Sequence, residues 1–313
     1  MRIYRHYGTL PAEARGAAIA IGNFDGVHKG HCQVIHEAGA IAKNLGIPWA
    51  VLTFEPHPRS VFQSGAAPFR LTPFRSKARA LEALGVDLMI VQKFNHEFSQ
   101  NPAEDFVKSV LVDGFGAKHL VSGYDFVFGH HRKGNSELLV RMGKQLGFGF
   151  TAINAVESTE GFVYSSTRVR QHLENGDVRG AADILGRTFA IEGRVAHGAK
   201  LGRSIGFPTA NIHLGALMRP KRGVYAVRAI LEGEDQVIEG VSSIGHRPTV
   251  NGIGDLLEVY LFDFDADIYG RRISIELIEF IREEAKYDSV EEMRKEIERD
   301  VEKALTILQS ERN

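Results

Sequence analysis

Ten residues near the start of the chain, Gly22-Asn23-Phe24-Asp25-Gly26-Val27-His28-Lys29-Gly30-His31, combine glycines with two histidines three positions apart. They fall where a β-rich run ends and a helical pattern begins. Backbone N–H groups at a helix start point outward, and the helix dipole favours an anion there. Gly26 and Gly30 let the backbone approach a phosphate closely. His28 and His31 project from one side of the first helical turn. Two imidazoles so placed can donate hydrogen bonds to an α-phosphate as negative charge builds during displacement. No nucleophilic side chain is needed if the acceptor brings its own phosphate. A lone histidine is more often structural, but the whole string in a strand-to-helix context points to phosphate chemistry. Cys32 and Trp49 read as packing residues.

A second signal is Ser165-Ser166-Thr167-Arg168-Val169-Arg170, again at an expected helix start. Hydroxyls at a helix cap with an arginine one turn in suit a leaving pyrophosphate. Further on, Gly206-Phe207-Pro208-Thr209-Ala210-Asn211 would place Thr209 and Asn211 on one face if extended. Their oxygens are hard ligands, compatible with Mg²⁺ that also touches ATP phosphates. Upstream, 193–203 supplies Gly198, Lys200 and Arg203 for a phosphate loop. It is not a Walker A motif, because Gly198 to Gly202 is one residue short and Arg203 stands where lysine belongs. In Leu256-Leu257-Glu258-Val259-Tyr260-Leu261-Phe262, Glu258 is a carboxylate inside an apolar run. It is either exposed on an edge strand or a general base for an alcohol attacking a γ-phosphate.

These strings need elements to hold them. Strand-like runs at 17–21, 49–54, 87–91, 118–122 and 150–156 alternate with helical patterns at 28–45, 76–84, 103–112 and 136–146. The first helix carries an apolar stripe of Val34, Ile35, Ala38, Ile41, Ala42 and Leu45 and stops at Gly46, and Asn135 is the expected N-cap of 136–146. Such alternation predicts an α/β domain: a parallel sheet with helices on both faces and ligands at the carboxyl ends of its strands. The loops after Ile21, Phe54 and Ser122 are therefore the ones to watch. Near Gly186 the helical period gives way to β-rich runs at 188–195, 224–231, 237–241, 256–262 and 273–281, which predict a small antiparallel β barrel. One helix closes the chain, with a capping box at Ser289 and Glu292 and an apolar face of Val290, Met293, Ile297, Val301, Ala304 and Leu308. The expected domains are 1–185 and 186–313.

The chain has 313 residues and a formal net charge of -1. That balance makes nucleic acid and anionic membranes poor partners. A single cysteine excludes an intramolecular disulfide, the N-terminus lacks the apolar segment of a secretory signal, and no apolar run spans a bilayer. A cytoplasmic protein is expected, with small-molecule partners; association into a homo-oligomer stays open.

The order of Gly22 to His31, Thr53-Phe54-Glu55-Pro56-His57-Pro58, Gly123 to Gly129 and Ser165 to Arg170 resembles that in bacterial bifunctional riboflavin kinase/FMN adenylyltransferases. The resemblance continues through the Thr209/Asn211 and Glu258 strings, Gly223 to Val227, Arg247-Pro248-Thr249, and Ile281 to Tyr287. It implies a Rossmann-like nucleotidyltransferase domain that adenylylates FMN to FAD, and a barrel that phosphorylates riboflavin to FMN, with ATP as co-substrate and Mg²⁺ in both steps. It implies that His28 and His31 meet the ATP phosphates, with Asn23, Phe24, Asp25 and Gly26 close by. Ser165, Ser166, Thr167 and Arg170 would hold the β- and γ-phosphates, and Asp125 with the Phe126/Phe128 loop would shape the nucleotide and FMN pocket. In the barrel it implies Thr209 and Asn211 as metal and ATP ligands, Glu258 as base, and Arg282 near the isoalloxazine. Tyr260 and Ser242-Ser243 depart from the common pattern, and Arg168 sits at a variable position. An aminoacyl-tRNA synthetase reading of His-x-Gly-His fails for want of a Lys-Met-Ser-Lys-Ser segment. A flavin-binding regulator without turnover is disfavoured because His28, Asn211 and Glu258 are all present.

Overall fold

The computed structural model describes residues 1–63, 65, 67–198, 202, 205–249 and 252–311, with the backbone alone at 9, 247–249, 252 and 253. The chain packs as two compact units, 1–67 with 72–165 and 68–71 with 166–313.

The first unit contains β1 (Arg2–Tyr4), β2 (Ala18–Ile21), α1 (Lys29–Leu45), β3 (Trp49–Glu55), α2 (Pro58–Phe62), α3 (Phe74–Ala83), β4 (Leu88–Lys93), α4 (His96–Ser99), α5 (Ala103–Asp105), β5 (His119–Gly123), α6 (Ser136–Leu146) and β6 (Gly149–Ile153). Among the described residues these strands form one sheet in the order β1-β4-β3-β2-β5-β6, every pair parallel. Its central strands are apolar at successive positions because both faces are covered. Ile19, Ile21, Leu52 and Leu120 join one cluster with Phe106 and Val110, and Ala20, Val51 and Val121 join another with Val34, Ile35 and Leu81. The short edge strand β1 has no counterpart in the sequence pattern.

α1 starts where expected, with His28 as N-cap, and ends at Gly46 in the left-handed region at φ 63°. Leu45, assigned to its apolar stripe, is instead exposed, because the last turn runs past the edge of the core. α6 matches its expected bounds, and Asn135 caps it by accepting the Leu138 N–H at 3.0 Å. The expected helix at 103–112 is α-helical only at Ala103–Asp105. Phe106–Val112 is a π-helix, a wider turn that buries Phe106, Val107, Val110 and Leu111 together.

The second unit opens with α7 (Ser166–Glu174) and α8 (Val178–Leu185), followed by β7 (Ala190–Ala196), β8 (Thr209–His213), β9 (Gly223–Leu231), β10 (Val237–Thr249), β11 (Gly252–Leu261), β12 (Arg272–Arg282) and α9 (Val290–Ser310). The change of periodicity falls near Gly186, yet α7 and α8 pack with the barrel. The Arg179 guanidinium donates to Glu279 of β12, and the Lys221 N–H donates to the Leu173 carbonyl. Residues 68–71 join them: Arg170 Nε donates to the Phe69 carbonyl and the Met218 N–H to that of Arg70.

Among the described residues the strands close a barrel in the order β10-β11-β8-β7-β12-β9, all antiparallel. Alternate residues such as Ile212, Tyr225, Val227, Leu257, Val259 and Ile275 are fully buried in its interior. On the outside, Val224, Ala226, Val241 and Ile278 pack with Ala304 and Leu308 of α9. Ser289 Oγ caps α9 by accepting the Glu292 N–H at 3.1 Å, while the Glu292 carboxylate accepts from the Asp288 N–H rather than that of the cap residue. The expected helix face holds from Met293 onward, and only Val290 at its start is exposed, at 56%.

Leu308→Ala should destabilise the second unit by about 2–5 kcal/mol, the usual cost of a buried leucine truncation. Val290→Ala should change it by less than about 0.5 kcal/mol. Urea unfolding of the two variants checks both values.

Two candidate active sites

The first site is the turn between β2 and α1. Its backbone takes positive φ at Phe24 (48°), Gly26 (94°) and Val27 (45°). For Phe and the β-branched Val this region is strained, so the surroundings must enforce it. Two anchors do so. Asp25 is 2% exposed, and its Oδ1 accepts from the Thr72 N–H at 3.0 Å. The Gly26 N–H donates to Thr72 Oγ1 at 2.9 Å. The other anchor is the Asn23 carbonyl, which accepts from Lys77 Nζ at 2.9 Å and from Thr53 Oγ1 at 3.1 Å.

This frame sets the histidines. Their rings stack with centroids 3.6 Å apart, and the edge of Phe24 meets His31 at 5.3 Å. His28 Nδ1 accepts the His31 backbone N–H at 3.3 Å, so neutral His28 carries its proton on Nε2. A Cβ on Gly30 would lie 3.1 Å from the His28 ring, and the absence of one lets that ring fold over the first turn. Gly26 and Asp25 thus act as internal braces: the amide of one and the carboxylate of the other are engaged with Thr72. Asn23 is exposed, and Phe24 is buried as the wedge behind His31.

Asp125 is exposed in the loop after β5, while Phe126 stacks on Phe128 at 5.5 Å and belongs to the wall of the core. Ser165 is the last residue of the first unit, and Ser166, Thr167 and Arg170 lie on α7 of the second. Arg170 also rests over the Phe69 ring at 5.6 Å.

Sequence reasoning gave no role to Lys77, Thr53 or Glu55. Lys77 is fully buried and also donates to Thr53 Oγ1 at 3.1 Å and Glu55 Oε1 at 3.2 Å. The available signal was a lysine at the i+3 and i−4 positions of the apolar stripe Phe74–Leu81, a place where an unpaired charge would be costly.

The second site is on the outer face of the barrel. Antiparallel register places Glu258 opposite Asn211 and Tyr260 opposite Thr209. Directly opposed residues share a face, so the four form one patch. Glu258 is half-buried on β11, which has β10 on one side and β8 on the other, so it is not on an edge. Asn211 is 4% exposed; its Nδ2 donates to the Thr209 carbonyl at 3.3 Å, and its Oδ1 has no partner among the described residues. Gly198 closes on it: a Cβ there would lie 2.4 Å from Asn211 Nδ2. Lys200 and Arg203 lie outside the described residues. Tyr260 packs edge-on against Phe207 at 5.3 Å, so this departure from the family pattern serves apolar packing.

Arg282 is committed to α9 through paired hydrogen bonds to Asp300, Nε to Oδ1 at 2.8 Å and the second nitrogen to Oδ2 at 2.6 Å. Asp255 anchors β11 near Glu258. It accepts from Arg219 at 2.7 Å, Arg222 at 3.0 Å and His246 at 3.1 Å. Burial alone would raise its carboxyl, but those hydrogen bonds and charges hold it below the usual carboxylate range.

A family model for FAD synthetase matches residues 10–168, and one for riboflavin kinase matches 185–308. The bifunctional riboflavin kinase/FMN adenylyltransferase of Haemophilus influenzae is 42% identical over 99% of this chain and 100% of its own. The chain belongs to that bifunctional family. The family member of Bacillus subtilis is 38% identical over 95% of this chain and 94% of its own. A solved structure described as a macrolide-efflux protein from Streptococcus pneumoniae is 28% identical, covers 96% of this chain and 97% of its own, and superposes with a TM-score of 0.82. The efflux description belongs to that protein. Among the described residues here, no helix is long and apolar enough to cross a membrane.

The lowered Asp255 carboxyl stabilises the fold above the ordinary carboxylate pKa of about 3.9, and this contribution is lost as pH falls through the lower folded value. Asp255→Asn should therefore weaken the second unit at pH 7 and flatten its loss of stability in acid. Urea midpoints measured from pH 7 downward check the sign.

Proposed function

We propose that the two units divide two ATP-dependent steps between them, riboflavin phosphorylation at the Thr209/Asn211/Glu258 patch and FMN adenylylation at the His28/His31 turn. The observation that carries the first assignment is the register of β8 with β11, which faces Glu258 towards Asn211, whose Oδ1 has no partner among the described residues. Glu258 takes the proton from the ribityl 5′-hydroxyl as its oxygen attacks the γ-phosphorus. The new O–P bond forms as the bond to the β–γ bridging oxygen breaks, and ADP leaves.

Thr209 and Asn211 fit Mg²⁺: their oxygens are hard donors, one of them buried and without a partner among the described residues, and Mg²⁺ favours few protein ligands with substrate phosphates completing its shell. Bound there, the ion would neutralise charge on the transferred phosphate.

In the adenylylation step, a phosphate oxygen of FMN attacks the α-phosphorus of ATP and pyrophosphate leaves. His28 and His31 donate hydrogen bonds to the charge that develops, at the positive end of α1. The assignment of Ser165, Ser166, Thr167 and Arg170 to the leaving pyrophosphate rests on their motif alone, as do those of Asp125 and Phe126 to the flavin pocket and of Gly198, Lys200 and Arg203 to the ATP of the kinase step. Arg282 would act on the flavin through the placement of α9. A cytoplasmic location, where ATP and riboflavin meet, suits both steps.

Riboflavin, excess ATP and Mg²⁺ incubated with the protein and followed by chromatography should give FMN first and FAD after it. Glu258→Ala should lower riboflavin phosphorylation at least about a hundredfold, as loss of a general base does, with FMN adenylylation kept. His31→Ala should do the reverse, lowering FAD formation about a hundredfold. Equal loss of both activities in a folded variant would refute the division.

A further inference from the structure

We propose that Lys77 is the positioning residue of the adenylylation site, holding the Asn23 carbonyl and through it the turn that aims His28 and His31. The proposal rests on the reading of that histidine pair as the adenylylation site.

Lys77 lies on the buried face of α3, between Phe74 and Leu81, where an apolar residue of similar length would pack without the cost of burying a charge. Its ammonium instead donates to the Asn23 carbonyl at 2.9 Å, Thr53 Oγ1 at 3.1 Å and Glu55 Oε1 at 3.2 Å. Thr53 and Glu55 sit at the carboxyl end of β3, next to β2 in the sheet. The Asn23 carbonyl is the last acceptor before the backbone enters positive φ at Phe24. Phe24 in turn meets His31 edge-on. A continuous path of contacts therefore leads from the ammonium to the imidazole.

The same chain segment braces the other end of the turn. Thr72, five residues before Lys77, holds Asp25 and Gly26. Residues 72–77 thus grip the turn at Asn23 and at Asp25–Gly26, with the strained Phe24 between them. Lys77 has no exposed surface through which to touch a nucleotide. Its effect must pass through geometry, and small displacements of groups that meet a transition state are costly in rate.

The test compares Lys77→Met, Thr53→Val and Thr53→Ser with wild type and His31→Ala, measuring FMN adenylylation and riboflavin phosphorylation in each preparation. Lys77→Met should lower kcat for FAD formation at least about tenfold, move KM for ATP much less, and leave FMN formation from riboflavin unchanged. Thr53→Val should lower the same kcat, and Thr53→Ser, which keeps the hydroxyl, should restore it. Wild-type kcat in Lys77→Met, a change in KM alone, or parallel loss of both activities overturns the proposal. If Lys77→Met fails to fold, the threonine pair decides: full kcat in Thr53→Val, or no rescue by Thr53→Ser, overturns it. FAD formation surviving in His31→Ala removes the site reading and this proposal with it. Loss in His31→Ala with full retention in Lys77→Met removes this proposal alone.

Discussion

The turn from β2 into α1 asks an aromatic and a β-branched residue to stand in a backbone region that suits glycine. Such a turn persists only where fixed partners outweigh its strain. Here those partners are the backbone N–H and hydroxyl of Thr72, the buried Lys77 ammonium and the Thr53 hydroxyl, supplied by β3, α3 and the segment leading into α3. The sheet fixes where those partners stand, and the turn fixes the histidines. The order of strands in the sheet thereby sets the geometry of the proposed adenylylation site, because β3 must neighbour β2 for Thr53 to reach Asn23.

The barrel reaches a similar end by regular means. The groups proposed to react there need no strained backbone, only antiparallel register, which brings residues from distant parts of the chain onto one patch. At this patch Gly198 approaches Asn211 closely, and the rings of Phe207 and Tyr260 pack edge-on. One unit stores precision in a distorted loop, and the other in the pairing of strands. This difference follows from what each holds: two imidazoles at a helix start in one case, and oxygens spread over neighbouring strands in the other.

Periodicity was enough to read most strands of the parallel sheet and of the barrel, and the closing helix, because burial on one or both faces writes itself into apolar spacing; the short β1 and β8 fall outside that pattern. Glu258 and Asn211 were legible as residues, but their facing one another depends on a strand register that only the folded chain displays. Lys77 escaped notice since its signal is a single charge in an apolar stripe, and its partners lie 22 and 54 positions away. The π-helical stretch was hidden because Phe106 to Val112 carries an ordinary helical composition. Gly26 is a residue type that suits close approach of a ligand, yet its N–H serves Thr72, a use that sequence spacing does not reveal.

Residues 68–71 belong to the packing of the second unit although they are enclosed in sequence by the first. Arg70 bridges to Leu217, nearly 150 positions on. Neither unit is therefore a continuous length of polypeptide. A gene cut between the two recognisable modules would strand four residues on the wrong fragment and leave α7 and the loop before β9 without their neighbours. During synthesis those four residues leave the ribosome long before the barrel exists, and must wait for it. Keeping the two modules on one chain thus keeps residues 68–71 with the packing they complete.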